Sequence, residues 1–177
     1  MAKRELRKQI RALNAQFTPE QRAAESARLM AALEAHPAFR AADTVMLFAA
    51  LPDEPDTLPL LERWQDRKQL LLPLVVGENM MEVRTFRGLD SLRRGAFDIL
   101  EPTGPAYTTY RRIDLIVVPG MAFDAKGRRL GRGKGFYDRF LIHPDLSARK
   151  IGICFPHQFV SSVPTDDFDV PVDEVIH

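Results

Sequence analysis

A single cysteine in 177 residues leaves no internal disulfide to hold the chain. That residue, Cys154, lies in the apolar run Ile151-Gly152-Ile153-Cys154-Phe155, which reads as a buried strand, so core packing is its expected role. An excess of one charge is also missing. Lys and Arg number 25 against 24 Asp and Glu, which removes any general attraction to nucleic acid or an anionic membrane and confines any anion site to one locality. No apolar run approaches the length of a membrane span, and Met1-Ala2-Lys3-Arg4-Glu5-Leu6-Arg7 lacks the apolar stretch of a signal peptide. A soluble cytoplasmic protein is therefore expected. The four histidines form no cluster with zinc-ligand spacing, and His157, which follows a strand with Gln158, is expected to support structure rather than catalyse. Repeats and low-complexity tracts are absent, and the length suits one domain.

What is present is an alternation of helical and strand patterns. Leu6, Ile10, Leu13 and Phe17 recur at helical spacing and predict an apolar stripe on a basic helix beginning near Lys3. Thr18-Pro19-Glu20-Gln21 supplies a cap hydroxyl, a first-position proline and a Gln three residues after the cap, predicting a second helix to about His36, stopped by Pro37. Thr44 to Ala49 reads as a buried strand, followed by the turn Leu51-Pro52-Asp53-Glu54-Pro55, a place where function could sit. A helix over Leu58 to Arg67, an apolar strand from Gln69 to Val75 and a half-exposed strand from Glu82 to Arg87 come next. After a turn-rich stretch, Asp90 to Thr109, the strand Asp114 to Val118 is closed by Pro119-Gly120. A helix near Gly135 to Ile142, the Cys154 strand and an acidic tail, Asp166 to Glu174, complete the chain. This order predicts a single three-layer α/β/α domain with a mostly parallel sheet, whose ligands gather beyond the C-terminal ends of the strands. Asp53-Glu54 and the Gly120 to Gly135 segment both leave such ends.

The segment Gly127-Arg128-Arg129-Leu130-Gly131-Arg132-Gly133-Lys134-Gly135-Phe136-Tyr137-Asp138-Arg139 alternates glycine with cations and then enters a helix. Glycine lets backbone N–H groups approach phosphate oxygens, a helix N-terminus adds positive dipole, and Arg132 and Lys134 would neutralise a polyphosphate. The Walker A spacing is absent, since Arg128 stands five residues before Gly133 and Gly135 follows Lys134 in place of Ser or Thr. The dinucleotide pattern G-x-G-x-x-G is not matched either. Spacing alone leaves a phosphate cradle, a solvated turn and an RNA contact open.

At these residues the sequence resembles the 5-formyltetrahydrofolate cyclo-ligases, also called methenyltetrahydrofolate synthetases, whose signature Arg-Leu-Gly-Arg-Gly-Lys-Gly-(Tyr/Phe)-Tyr-Asp is matched by Arg129 to Asp138. The resemblance continues at Lys3-Arg4-Glu5-Leu6-Arg7, Asp53-Glu54, Ile99-x-Glu101-Pro102, Pro119-Gly120-x-x-Phe123-Asp124, Val163-Pro164 and Asp169-Val170-Pro171-Val172-Asp173-Glu174, in family order. It implies an ATP- and Mg²⁺-dependent conversion of 5-formyltetrahydrofolate to 5,10-methenyltetrahydrofolate with release of ADP and phosphate; with the charge balance, a monomer with no nucleic-acid and no membrane partner is expected. By the same resemblance, Arg132 and Lys134 would stabilise charge in the transfer. Lys3, Arg4, Glu5, Leu6 and Arg7 would complete an ATP site made by Arg129, Leu130, Gly131, Arg132, Gly133, Lys134, Gly135, Phe136 and Tyr137. Ala49, Glu54, Arg132, Gly133, Lys134, Gly135 and Phe136 would meet the folate, and Asp138 and Asp169 would hold the magnesium. Phe136 stands where many relatives carry tyrosine, which removes a hydroxyl. Phe97 reads either as a cover over the folate or as a core residue.

Overall fold

The computed structural model describes residues 1–177 and is built around a six-stranded sheet. Five helices occur: α1 (Lys3–Gln16), α2 (Pro19–Ala35), α3 (Pro37–Ala41), α4 (Leu58–Trp64) and α5 (Phe136–Leu141). The main sheet holds β1 (Thr44–Met46), β2 (Gln69–Val76), β3 (Met80–Thr85), β6 (Leu115–Val118), β9 (Arg149–Ile153) and β10 (Glu174–Ile176). Two short ribbons pair β4 (Arg93–Arg94) with β5 (Leu100–Glu101) and β7 (Ala122–Phe123) with β8 (Arg129–Leu130).

The sheet order is β10-β9-β6-β1-β2-β3, with every pairing parallel except the β2–β3 hairpin at one edge. A parallel sheet needs both faces covered, and its strands are accordingly apolar on both sides. Val45, Leu70, Leu72, Leu115, Val117, Ile151 and Ile153 face a core shared with Leu29, Leu33, Phe39, Leu60 and Leu61 of α2, α3 and α4. Met46, Leu71, Ile116 and Val118 face the opposite core, where Phe140 and Leu141 of α5 pack. The alternation of successive residues between the two clusters is the period-two geometry of a strand. The expected three-layer α/β/α architecture with a mostly parallel sheet is therefore present.

Helix α1 lies apart from these layers. Leu6 and Ile10 pack on Met121, Ala122, Leu130 and Val163, beyond the C-terminal end of β6. The predicted stripe stops there, because Leu13 is 43% exposed and Phe17 lies just past the helix, where its ring meets Phe155 and His157. The Thr18–Gln21 capping box forms as expected. Pro37 does end α2, but it also opens α3: the His36 ring accepts the Ala38 N–H, and proline suits the first helical position. Strand β1 closes at Met46 rather than Ala49, and α4 at Trp64 rather than Arg67. The edge strand β3 lies two residues earlier than the predicted 82–87, because its register is set by the hairpin with β2.

From β1 the chain first adds β2 on one side, then returns to place β6 on the other. Strand order reverses between β1 and β6, and at such a point the loops leaving adjacent strands diverge and open a crevice.

Candidate active site

A cleft of about 1480 Å³ opens at this switch point. One wall is the turn after β1, carrying Ala49, Asp53 and Glu54; the facing wall is Arg129 and the stretch from Gly131 to Asp138, after β8. The N-terminal end of α1 contributes Lys3 and Arg7, and the segment before β10 contributes Asp166 to Pro171. The predicted glycine loop, acidic turn, N-terminal helix and C-terminal acids thus converge from four separate parts of the chain.

The acidic turn is tightly held. Arg22 of α2 donates to the carbonyls of Leu51 and Glu54, both at 3.1 Å. The Thr57 hydroxyl, fully buried, donates to the Phe48 carbonyl, and Ser26 Oγ accepts the Asp56 N–H at 2.9 Å. Glu54 is consequently 5% exposed, its Oε1 accepting the Leu51 N–H at 3.0 Å. Burial pushes its carboxyl up to about 7, against the opposing pull of Arg132 and the Leu51 N–H.

The glycine loop has few internal bonds. Gly133 and Gly135 adopt φ of 105° and 72°, conformations that a side chain would strain. Arg7 donates to the Gly131 carbonyl at 2.8 Å, and Arg139 to the Lys134 carbonyl at 2.6 Å, so two cations grip the loop from outside. Arg132 forms a bidentate pair with Asp53, at 3.2 and 2.5 Å, and reaches within 3.7 Å of Glu54. Lys134 makes no ion pair and lines the cleft. The Tyr137 hydroxyl is buried without a hydrogen-bond partner, and burial raises its pKa.

Beside the loop, Lys3 bridges Asp166 and Asp169 at 2.6 and 2.5 Å. Burial opposes the charge on Lys3, yet its bonds to the two aspartates outweigh that and raise its pKa. Burial likewise works against the Asp169 carboxylate, but the Lys3 bond, the Asp166 N–H and the nearby Arg129 charge lower its pKa overall. Asp138 pairs with Arg129 at 3.3 Å and accepts the Val170 N–H at 3.1 Å, rather than meeting its neighbour Arg139. Asp138 and Asp169 both line the cleft near Arg129, and no group of three potential metal ligands occurs anywhere in the chain. Two carboxylates suit a magnesium ion that keeps most of its waters and phosphate oxygens, and do not suit an ion held by protein alone.

Several residues named from the sequence lie elsewhere. Leu6 and Leu130 are buried in the small core under α1, because each faces the opposite side of its element from the cleft. Arg4 and Glu5 are exposed and point away from the cleft, since a helix turning 100° per residue presents Lys3 and Arg7, four apart, on one face. Phe97 is 72% exposed on the cleft rim with a left-handed backbone, φ 57°, so the core reading fails. The sequence reading missed Asp53 as an arginine partner, Asp166 as a lysine partner, and Val75 and Met81 of the β2–β3 hairpin as apolar lining. Asp53 sat beside Glu54 in the motif, but nothing local shows which of two adjacent acids faces which ligand.

The chain also matches known proteins. The model of the 5-formyltetrahydrofolate cyclo-ligase family matches residues 1–177. The 5-formyltetrahydrofolate cyclo-ligase of Mus musculus is 28% identical over 98% of this chain and 90% of its own length. That of Escherichia coli K12 is 29% identical over 94% and 95%. Among solved structures, 5,10-methenyltetrahydrofolate synthetase of Aquifex aeolicus superposes with a TM-score of 0.86 at 34% identity, covering 99% of this chain and 89% of that one. The synthetase of Mycoplasma pneumoniae, at 20% identity, shares the fold with a TM-score of 0.80 over 99% and 98%. With the signature loop, the acidic turn and the terminal acids gathered in one cleft and the family model spanning every residue, this chain belongs to the 5-formyltetrahydrofolate cyclo-ligase family.

Proposed function

We propose that the protein converts 5-formyltetrahydrofolate and ATP to 5,10-methenyltetrahydrofolate, ADP and phosphate. The observation that carries this reading is Arg132, which stands in the glycine loop yet reaches both acids of the turn opposite. A phosphate-handling loop and a buried carboxylate that suits the amino-pyrimidine end of a pterin thus border one cleft, close enough for two substrates to react.

The chemistry explains why cations and no protein nucleophile are required. A formamide oxygen leaves poorly. Its attack on the γ-phosphorus of ATP releases ADP and converts it into a phosphate ester. The N10 lone pair then attacks the formyl carbon, the C–O bond breaks with release of phosphate, and the N10 proton passes to solvent, leaving the methenyl cation. Such transfers depend on positioning and charge stabilisation. Lys134 and Arg132 would meet the negative charge on the transferring group, with the loop amides beside them. Arg7 and Arg139 hold the loop's backbone in place, and Lys3 would join the nucleotide once released from its aspartates. Asp138 and Asp169 would hold a partly hydrated Mg²⁺, which supplies charge neutralisation to the nucleotide phosphates when bound. Glu54, with Ala49 beside it, would accept hydrogen bonds from the folate, while Phe136 and the rim would contact its apolar parts.

The test mixes purified protein with ATP, Mg²⁺ and 5-formyltetrahydrofolate and follows the methenyl chromophore and ADP together, with ATP omitted in parallel. ATP-dependent formation of both in equal amounts is the expected result. ADP without chromophore would redirect the folate half of the assignment.

A further inference from the structure

Arg132 stands between two glycines that offer it no side-chain packing, and its only partners are across the cleft. Its guanidinium direction is therefore set by the bidentate fork of Asp53, a geometry that fixes plane as well as distance. Asp53 is itself held from behind. Asn14, in the last turn of α1, directs its Nδ2 at Asp53 Oδ2 at 3.5 Å, and Gln158 Nε2 donates to the Asp53 carbonyl at 3.1 Å. Asn14 Oδ1 accepts from His157 Nε2 at 2.7 Å and from Gln158 Nε2 at 3.4 Å. Gln158 is fully buried and locked by the Phe155 N–H on its Oε1, and the His157 ring packs against Phe17 at 4.9 Å and lies parallel to Phe155 at 6.0 Å.

The amide orientation of Asn14 follows from its neighbours. A carboxylate can only accept, so the NH₂ group must face Asp53, and the oxygen then faces two donors. His157 carries its proton on Nε2 in consequence. An aspartate here would repel Asp53, and an aliphatic residue would leave its partners unpaired.

We propose that Asp53 and Asn14 are positioning residues: Asp53 aims the Arg132 guanidinium at the transferring phosphate, and Asn14, braced by His157 and Gln158, holds Asp53 in that aim. This rests on the assigned reaction. The pair explains why an arginine side chain flanked by two glycines is oriented, and it gives the His157-Gln158 dipeptide a task.

The experiment compares Asp53→Ala, Asn14→Ala and the double variant, each checked for folding by thermal melting, in kcat and in KM for ATP. Loss of aim rather than of charge lowers kcat: about 10²-fold for Asp53→Ala and about tenfold for Asn14→Ala. The KM for ATP should stay level or fall, because Asp53 no longer competes for the guanidinium. The double variant should be no slower than Asp53→Ala, since Asn14 acts only through Asp53. A double variant whose loss is the product of the two single losses overturns the proposal, as does a rise in KM at constant kcat. If the wild-type chain makes no methenyl product, the assigned reaction fails, and ATP affinity by calorimetry then decides this proposal separately. It stands if Asn14→Ala changes ATP affinity only while Asp53 is present, and falls if the change is the same in both backgrounds.

Discussion

The two walls of the cleft are built in opposite ways. The turn after β1 is bonded from behind and buries Glu54 while Pro52 and Asp53 still meet water: Arg22 holds two of its carbonyls, Thr57 a third, and Glu54 is 5% exposed. The glycine loop is open, with Arg132, Gly133 and Lys134 facing water and only Arg7 and Arg139 gripping its backbone. A rigid, dry wall can discriminate the shape and hydrogen-bonding pattern of one ligand, since a carboxylate held in place has little ordering entropy to lose on binding. An open cationic wall can admit a polyphosphate and adjust as charge moves. The difference separates recognition from charge handling, and substitutions on each wall should fail differently.

The largest effect is expected at Lys134. Its replacement by alanine should lower kcat by about 10²–10³-fold, in the range for removing one transition-state charge partner, with a much smaller change in folate affinity. Near-normal turnover in a folded Lys134→Ala protein would break the comparison at its active wall.

Glu54 tests the buried wall through pH. Its ordinary value of 4.5 is raised to about 7 in the folded state, so the native protein binds this proton more tightly than the unfolded chain does. The resulting penalty is absent below about pH 4.5, grows as pH rises through 7 and is then complete, on the order of 3 kcal/mol. Glu54→Gln should therefore stabilise the protein at pH 8 and not at pH 4, as read by denaturant melts, while weakening folate binding at pH 8. Unchanged stability at both pH values would show that this carboxylate is better solvated than its burial implies.

Gly135→Ala should cost less, about 1–2 kcal/mol. The site has φ 72°, and an added Cβ would lie 2.9 Å from Nη1 of the Arg139 guanidinium, whose Nη2 holds the Lys134 carbonyl. The ATP KM should rise while folate affinity measured without nucleotide stays level. Thr57→Val should have the smallest effect, about 1 kcal/mol of stability for one lost buried hydrogen bond with its acceptor left unpaired. If it instead altered ATP affinity, the two walls would not be independent.

Much of the fold was legible because its signals are local. The Thr18–Gln21 capping box, the β-branched and apolar run of Leu115–Val118 and the run from Ile151 each announce themselves within a few residues, although β9 closes at Ile153 and leaves Cys154 and Phe155 buried just past the strand. Boundaries were less legible: Leu47 still donates to Leu71 like a strand residue although β1 closes at Met46, so the apolar pattern outruns the ladder. On α1, periodicity marked Leu13 as core, but the helix covers the rim of the domain rather than a layer, and only its first two turns find apolar cover.

The candidate site divides along the same line. Glycine–cation alternation over Gly131 to Gly135 and the acid pair Asp53-Glu54 could be read from residue types and spacing, because the chemistry of a phosphate cradle or a carboxylate turn lies in contiguous residues. Which acid faces which cation could not. Lys3 meets Asp166 and Asp169 across more than 160 residues, Arg7 meets Gly131, Arg132 meets Asp53, and Asn14 meets His157. Strand order and the reversal between β1 and β6 bring these pairs together, and that order depends on long-range sheet pairing and on packing over both faces, which no local pattern encodes. The sequence by itself determined most of the helices and strands, the loop chemistry and the likeness to one family, but not α3, the edge strand β10 inside the acidic tail or the two short ribbons. Tertiary structure alone decided that Glu54 is buried and Asp53 is not, and so which of two neighbouring acids carries a raised pKa and which one holds an arginine.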